Sequence, residues 1–253
     1  MEDHLSISIV QPTLHWHDAP ANFDKIGKLV SQVDSDLIVL PEMWSSGFTM
    51  KAHQAHVHCE EALSLMHAWA SEKQALVCGS LITKVEDVYY NRMYCISPDG
   101  LLKTYDKKHL FAYAGEDRYY VQGEKREEID WKGYTLRLNI CYDLRFPVWS
   151  RNDTDYDVLL YSANWPSPRI DAWDALLKAR AIENQCFTIG ANCVGRDAWS
   201  NDYVGHSAVI KYDGSTLAFS DKEGVVTASV SKRAMLAFRD KLPFLRDRDP
   251  FTL

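Results

Sequence analysis

Residues 134–147 read YTLRLNICYDLRFP, and this stretch indicates the kind of fold to expect. Its first seven residues alternate between apolar and polar side chains, which predicts a β-strand over residues 134–140. Cys141 ends that run, and the polar segment after it, which closes on a proline, predicts a tight turn into a helix over residues 147–152. A strand that leads through a turn into a helix is typical of α/β proteins.

Similar short apolar or β-branched runs recur along the chain. They predict strands at residues 5–10, 36–41, 75–82, 88–97, 134–140, 157–163, 186–193, 206–212 and 225–230. Apolar side chains share one helical face in three segments, residues 21–33, 60–72 and 170–185. Turn sequences at 97–100 and 212–214 predict hairpins. Strands mixed with helices and hairpins indicate an α/β fold with a mixed sheet, and the lack of linkers or repeats favours one domain over residues 1–253.

Length and charge limit the classes of function. The chain has 253 residues, of which 46% are hydrophobic, so it can bury a sizeable core. Its formal net charge of −7 argues against a nucleic-acid surface and against binding to anionic membranes. No apolar run is long enough to span a bilayer, and the acidic start has neither the basic segment nor the cleavage site of a secretory signal. We therefore expect a cytoplasmic protein.

The six cysteines form no Cys-x-x-Cys pair. Four of them lie in apolar stretches and are predicted to be reduced, buried thiols rather than disulfide partners: Cys78, Cys95, Cys186 and Cys193. For Cys141, burial competes with a role as nucleophile, because free cysteine is among the most buried residue types.

A histidine-rich cluster could be mistaken for a zinc site. It contains His53, His56, His58 and Cys59. Its spacing matches no familiar ligand pattern and no second ligand pair follows, so we predict a solvated loop leading into a helix. The chain also lacks glycine-rich phosphate loops and a G-x-S-x-G elbow. We therefore expect no metal and no organic cofactor.

Three side chains with catalytic chemistry follow predicted strands. Glu42 follows the strand at 36–41, Lys107 comes after a hairpin, and Cys141 ends the strand at 134–140. Each alone is typical of an ordinary loop or core residue. Together they supply the proton acceptor, the positive charge and the nucleophile that thiol acyl chemistry requires, at strand ends where ligands of α/β sheets gather.

The turn after Cys141 predicts a reactive thiol. A helix that starts there would direct the positive end of its dipole at the sulfur and lower the pKa of Cys141. The backbone N–H of Tyr142 would then point toward a bound carbonyl. The sequence thus predicts a cysteine held partly as thiolate.

Three motifs occur in order along the chain: LPEMWSSGF (40–48), YDKKHLF (105–111) and CYDLRFP (141–147). Secondary marks are YSANWP (161–166), ARAIENQ (179–185), GHSAVI (205–210) and LRDRDPF (245–251). With these motifs the chain resembles, nearly end to end, the nitrilase superfamily of carbon–nitrogen hydrolases, and more narrowly its omega-amidase branch. The resemblance implies a four-layer αββα sandwich and a homodimer or higher homo-oligomer, with residues 241–253 reaching across the subunit interface.

The resemblance also implies roles for particular residues. The catalytic glutamate, lysine and cysteine of the family match Glu42, Lys107 and Cys141. A second glutamate of the family matches Glu116, with Glu124 as the alternative.

Other positions are expected to surround the predicted site. By position, the substrate pocket would be bordered by Tyr142, Arg145, Asn164 and Trp165. Arg180 and Glu183 lie three residues apart on a helix and are expected to form a structural pair. His109 is expected to pack against or orient its neighbours rather than to act as the base.

The reaction implied by the resemblance is hydrolysis of the terminal amide of 2-oxoglutaramate or 2-oxosuccinamate through a cysteine thioester. Glu42 would transfer protons, Lys107 and the Tyr142 N–H would stabilise the oxyanion, and Glu116 would orient Lys107 or the substrate. The substrate carboxylate needs a cationic or N–H-rich contact, for which Arg145 is one candidate.

Three alternatives stay open at the level of sequence. The first is another amidase or carbamoylase of the same superfamily with a different small amide as substrate. The second is a binding protein without activity on the same scaffold. The third is a papain-like hydrolase, which would need a histidine beside Cys141; the nearest candidate, His109, belongs to the lysine motif.

Overall fold

The computed structural model describes residues 3–252, which form two large sheets with helices against their outer faces. The first seven strands are β1 (His4–Gln11), β2 (Leu37–Val39), β3 (Leu76–Val85), β4 (Val88–Ser97), β5 (Gly100–Asp106), β6 (Glu128–Trp131) and β7 (Tyr134–Ile140). The next seven are β8 (Val158–Ser162), β9 (Phe187–Ala191), β10 (Val194–Arg196), β11 (Asp202–Val204), β12 (Ser207–Ile210), β13 (Thr216–Ser220) and β14 (Gly224–Ser231). The helices are α1 (Ala19–Val30), α2 (Ala52–Ala55), α3 (Cys59–Lys73), α4 (Ile170–Asn184) and α5 (Lys232–Lys241).

Both sheets mix parallel and antiparallel strands. The first has the order β14-β1-β2-β3-β4-β5, with β1, β2 and β3 parallel to one another. The second has the order β13-β12-β9-β8-β7-β6, with β7, β8 and β9 parallel. A short ribbon of β10 and β11 stands apart from them. The predicted hairpins are present as β4–β5 and β12–β13, so the mixed α/β prediction is confirmed.

The two sheets bury their inner faces against each other. Ile7 of β1 and Leu138 of β7 belong to the same fully buried cluster, and each such side chain contributes about 2 kcal/mol by its removal from water. On the outer face of the first sheet, α1 and α3 bury Ile26 and Met66, whereas α4 buries Trp173 on the second sheet. The order helix, sheet, sheet, helix confirms the αββα sandwich.

The predicted helices are present, with shifted ends. α1 starts two residues earlier than the apolar pattern predicts, because the Asp18 carboxylate caps the N–H of Ala21 and Pro20 lies in the first turn. α3 is followed by Gln74 and α4 by Gln185, and both of these residues have the left-handed conformation that commonly stops a helix.

Some elements differ from the sequence predictions. α5 was not predicted, since five of its ten residues are charged and only Met235 is buried, so the segment offers too few apolar residues to stand out in the sequence. The predicted loop at the histidine cluster is wrong: α2 and a 3₁₀ turn (His56–His58) lead into α3, and Cys59 is buried. No helix within residues 3–252 is long and apolar enough to cross a membrane.

Contacts between the sheets bring two predicted site residues together. The Ser162 hydroxyl at the end of β8 donates to the Leu40 carbonyl just after β2, at 2.8 Å. The Glu42 N–H donates to the Ala163 carbonyl at 3.3 Å. Because β8 pairs with β7, which ends directly before Cys141, these bonds hold the glutamate of one sheet beside the cysteine of the other.

Candidate active site

A buried cluster of charge joins Glu42, Lys107 and Glu116. The Lys107 ammonium lies 2.7 Å from Glu42 Oε1 and 3.1 and 2.9 Å from the two oxygens of Glu116. Each of the three side chains is at most 1% exposed. Their distances are those of charge-assisted hydrogen bonds, so the three hydrogens of the ammonium are all directed at carboxylates. Glu124, the alternative to Glu116, is exposed.

Neutral groups complete the coordination of the two carboxylates. The Phe111 N–H donates to Glu116 Oε2 at 2.6 Å, and the Asn164 N–H donates to Glu42 Oε2 at 3.0 Å. The side-chain amide of Asn91 donates to both glutamates, at 2.7 and 3.2 Å. Asn91 was not predicted from sequence, although a lone asparagine within the apolar run 88–97 is the one signal that could have indicated it.

The charges of this cluster shift its proton equilibria. Burial disfavours a charged lysine, but the carboxylates of Glu116 and Glu42 outweigh it and raise the pKa of Lys107. Burial raises the pKa of Glu116, and the charge of Glu42 adds to that effect while Lys107 opposes it. Lys107 therefore stays an ammonium group and cannot serve as a base.

Cys141 occupies a strained position at the end of β7. Its φ is +45°, in the left-handed region that non-glycine residues seldom adopt. Met43, directly after Glu42, has a φ of +44°. Such conformations cost about 1–3 kcal/mol each and cluster at functional sites. The cysteine side chain is 9% exposed and borders the main cavity.

The predicted helix after Cys141 is wrong. Only a 3₁₀ turn (Cys141–Arg145) follows the strand, and residues 147–150 form a turn rather than a helix. The predicted lowering of the thiol pKa is wrong as well: burial raises the pKa of Cys141, the charge of Glu42 raises it further, and Lys107 opposes the shift in part. The thiol is therefore neutral at rest and needs a base when it attacks.

Asp143 holds the turn that carries the cysteine. Its fully buried carboxylate accepts hydrogen bonds from the N–H of Ile140 (2.9 Å), the N–H of His109 (2.9 Å) and the hydroxyl of Tyr105 (2.7 Å). His109 Nδ1 also lies 2.8 Å from it. The histidine is thus bound to Asp143 rather than to Cys141, which removes the basis of the papain-like alternative.

Two further contacts brace this turn from outside. The His109 ring stacks on Phe146 with centroids 3.7 Å apart, as expected for a packing residue. Arg180 of α4 pairs with Glu183 at 2.9 Å, which confirms the predicted pair, and it also donates to the Leu144 carbonyl at 2.6 Å. Through Arg180, helix α4 therefore stabilises the Cys141–Arg145 turn.

Replacing Asp143 with alanine is expected to lower the free energy of unfolding by about 3 kcal/mol, because several buried donors would lose their acceptor. Urea unfolding followed by tryptophan fluorescence measures this. Asp153→Ala is a control. Asp153 also binds two partners, the guanidinium groups of Arg137 and Arg126, but its side chain is only partly buried. Equal losses in the two variants would contradict the role of Asp143.

A cavity of about 560 Å³ opens onto the cluster. Glu42, Lys107 and Cys141 lie at its wall, whereas Glu116 stands behind Lys107 and outside the lining. All four residues predicted to border the pocket do line it: Tyr142, Arg145, Asn164 and Trp165. Size and lining are typical of a small-molecule site.

Asn164 contacts the protein more than the cavity. Its Nδ2 donates to the Glu42 carbonyl at 2.6 Å, and its Oδ1 accepts the thiol of Cys193 at 3.0 Å. With its N–H on the Glu42 carboxylate, Asn164 holds the glutamate in place. The predicted contact between its side chain and a substrate stays a prediction.

Three cations at the cavity have no carboxylate within ion-pair distance among the described residues: Lys51, Arg145 and Arg169. The Arg145 guanidinium lies 4.9 Å from the Trp165 ring centroid, and that of Arg169 lies 5.1 Å from Phe111. Stacking on aromatic rings fixes the guanidinium planes while leaving their N–H groups free for an anion. Arg169 and Lys51 were not predicted from sequence.

Within residues 3–252, no group of three or more histidine, cysteine or acidic side chains is arranged to hold a metal ion. The six cysteines are all free and buried, so the predicted core thiols are confirmed.

A family model for carbon-nitrogen hydrolases matches residues 6–239. The chain belongs to the carbon-nitrogen hydrolase family. The omega-amidase YafV of Escherichia coli strain K12 is 41% identical over 252 residues, 98% of each chain. The 2-oxoglutaramate amidase of Bacillus subtilis strain 168 is 35% identical over 222 residues, 84% of this chain and 85% of that one.

Solved structures agree with the family assignment. XC1258 from Xanthomonas campestris, a CN-hydrolase superfamily protein with an arsenic adduct in its active site, superposes with a TM-score of 0.96. It is 39% identical and covers 100% of both chains. This carbon-nitrogen hydrolase therefore has the fold and enzyme class that the three motifs predicted, and it hydrolyses amides.

Proposed function

We propose that this enzyme is an omega-amidase that hydrolyses the terminal amide of 2-oxoglutaramate or 2-oxosuccinamate, through a thioester on Cys141. The observation that carries the proposal is the buried cluster of Glu42, Lys107 and Glu116, whose first two members lie with Cys141 at the wall of a cavity. That cavity also holds three cations that form no ion pair within residues 3–252. The relatives named omega-amidase and 2-oxoglutaramate amidase support this substrate class.

In the first step, the sulfur of Cys141 attacks the amide carbon. Its pKa is raised by burial, so the proton must leave as the bond forms, and Glu42 accepts it. The charge that develops on the carbonyl oxygen is offset by Lys107, which remains an ammonium, and by the N–H of Tyr142. Glu42 then returns the proton to the leaving nitrogen, the carbon–nitrogen bond breaks, and ammonia departs.

In the second step, water attacks the thioester. Glu42 takes a proton from that water, the carbon–oxygen bond forms, and the carbon–sulfur bond breaks. The sulfur regains its proton from Glu42, and the product is a carboxylic acid. Glu116 keeps Lys107 fixed through both steps, since it holds two of the three ammonium hydrogens.

The cations of the cavity suit a substrate with a carboxylate. Arg145 is four residues from the nucleophile along the turn, and its guanidinium has an aromatic support. Arg169 offers a second guanidinium in the same cavity. A bidentate bond to a carboxylate would fix the far end of a short keto acid amide and thereby its terminal amide.

Arg145→Ala is expected to raise the KM for 2-oxoglutaramate about 10- to 100-fold, the value of a lost charge-assisted hydrogen bond, with a smaller change in kcat. Steady-state ammonia release measures both constants. A neutral amide such as butyramide should show no such increase. Arg196→Ala is the matched control, because Arg196 is exposed and lies outside the cavity. An unchanged KM for the keto acid amide would exclude Arg145 as the carboxylate contact.

The proposed function is tested by ammonia release from a panel of amides together with intact-mass spectrometry during turnover. We expect release from 2-oxoglutaramate and 2-oxosuccinamate, little from glutamine, nitriles or carbamoyl amino acids, and an acyl adduct on Cys141. Preference for a carbamoyl compound would assign a different branch, and no release from any amide would leave only a binding role.

We also propose that the enzyme is a cytoplasmic homodimer. Free, buried cysteines suit a reducing compartment. Exposed apolar side chains at and near the outer helices are candidates for the interface: Val148, Ile182, Leu236 and Phe244. Light scattering after gel filtration tests the dimer, and a monomer at micromolar concentration would exclude it. The predicted role of residues 241–253 stays a prediction, and Leu253 lies outside the described residues.

A further inference from the structure

Asn91 of β4 contacts every charged member of the buried cluster. Its Nδ2 donates to Glu42 Oε1 at 2.7 Å and to Glu116 Oε1 at 3.2 Å. Its backbone carbonyl accepts the N–H of Lys107 at 3.0 Å. The side chain is fully buried. Both hydrogens of one amide are therefore shared between two carboxylates that already share one ammonium.

The orientation of this amide is fixed from its other end. Asn91 Oδ1 accepts the hydroxyl of Ser80 at 2.9 Å, and the oxygen of that hydroxyl accepts the N–H of Met43 at 2.8 Å. A serine hydroxyl has a single hydrogen, which here goes to Oδ1. A flipped amide would face Oδ1 toward two carboxylates and the NH₂ group toward a hydroxyl. The NH₂ group therefore points at the glutamates.

We propose that Asn91 is a positioning residue that orients the carboxylate of Glu42 for proton transfer, which rests on the proposed role of Glu42 as the base. Asn91 and Lys107 both donate to Oε1 of Glu42. Oε2 receives only the N–H of Asn164 within the described residues, so it retains an acceptor position for the proton of Cys141. The N–H groups of Asn91 also carry partial positive charge, which adds to that of the single lysine in stabilising the two carboxylates.

The decisive variant is Asn91→Asp, which keeps the shape of the side chain but replaces the two N–H donors with a third carboxyl group. We expect kcat for 2-oxoglutaramate to fall at least about 100-fold, with KM within about threefold. The acidic limb of the pH profile of kcat/KM should move up by about one unit or more, because a third negative charge favours protonation of its neighbours.

A purely structural role for Asn91 would change stability without moving the pH profile. Asn152→Asp is the matched control: Asn152 is also fully buried and donates to the carbonyls of Tyr156 and Asn184, at 3.1 and 3.0 Å, outside the cavity. We expect this variant to melt at a lower temperature with an unshifted pH profile. If Asn91→Asp does not fold, Asn91→Ala gives the same readouts, with a smaller shift in the same direction.

The inference is overturned if the Asn91 variant that folds keeps the wild-type pH limb and a kcat within threefold per folded molecule. It is also overturned if the control shifts the limb equally. Ammonia release by the wild type distinguishes this outcome from failure of the proposed function. A wild type that releases no ammonia contradicts the function itself, whereas an active wild type beside an unaffected Asn91 variant contradicts only the positioning role.

Discussion

Lys107→Met is expected to slow ammonia release at least about 1,000-fold and to lower the free energy of unfolding by about 3–5 kcal/mol. Methionine resembles the aliphatic part of lysine but removes the ammonium that lies between Glu42 and Glu116. Two carboxylates would then remain buried around the amide of Asn91 without a cation. An uncompensated buried charge is among the most costly changes in a protein interior, so stability and catalysis fall together.

The stability loss should depend on pH with a definite sign. Without the lysine, the folded variant binds a proton on one of the two carboxyl groups more readily than the unfolded chain does. Protonation is then linked to folding, so the variant loses stability as pH rises above the ordinary carboxyl range and recovers it as pH falls. Urea unfolding at pH 8 and at pH 5.5 should show the gap to the wild type narrowing at the lower pH.

Two further variants separate charge from packing. Lys107→Met combined with Glu116→Gln leaves one buried carboxylate, so it should regain stability while staying inactive. Lys108→Met is the control for loss of a neighbouring lysine: its ammonium lies 5.4 Å from the Trp149 ring, and we expect near wild-type activity and a loss of about 1 kcal/mol or less. An active single variant, or one as stable as the wild type at pH 8, would contradict the electrostatic account.

The layered fold could be predicted because its signals are local and repeated. The alternating run before Cys141 and its counterparts are strands, and the apolar stripes of α1, α3 and α4 face the sheets. The division into two sheets came only with the family resemblance, since periodicity does not say which strands pair. Helix α5 was not predicted because half of its residues are charged, and the packing of Met235 and Phe238 depends on tertiary contacts.

The sequence was sufficient to predict which main residues form the site, but not which hydrogen bonds join them. Glu42, Lys107 and Cys141 stand in motifs, and the structure places them at one cavity wall. The choice of Glu116 over Glu124 needed geometry, because both are loop carboxylates in the sequence. Asn91 could not be assigned, since a strand asparagine has no motif and its importance lies in bonds to three residues distant along the chain.

For Cys141, the residues next to it in the sequence led to a wrong prediction of the thiol pKa. A polar turn after a strand favoured a helix and a lowered pKa. The turn is too short to act as a helix dipole, and burial beside Glu42 raises the pKa instead. What a motif fixes is the position of the sulfur; its proton affinity is set by side chains from other elements.

Cys141→Ala is expected to reduce ammonia release at least about 10⁴-fold, because no other group can form the acyl intermediate. Cys141→Ser should lose nearly as much, since Glu42 would face a hydroxyl, which is far harder to deprotonate than a thiol. Both variants should fold, because the left-handed backbone at this position penalises alanine, serine and cysteine alike. Initial rates and intact masses after incubation with 2-oxoglutaramate measure the effect.

Cys186→Ala is the control that shows what the loss of a buried thiol outside the cavity does to stability and activity. Cys186 is a fully buried thiol packed in the main core and lies outside the cavity. We expect its loss to cost about 1–2 kcal/mol of unfolding free energy and to leave activity within about twofold, since it removes packing and a weak contact with the Thr188 hydroxyl, both outside the cavity. Cys141→Ala should do the reverse, with activity lost and stability changed by less than about 1 kcal/mol. If Cys141→Ala still released ammonia from keto acid amides, the thioester route would be wrong and water would have to attack the amide directly.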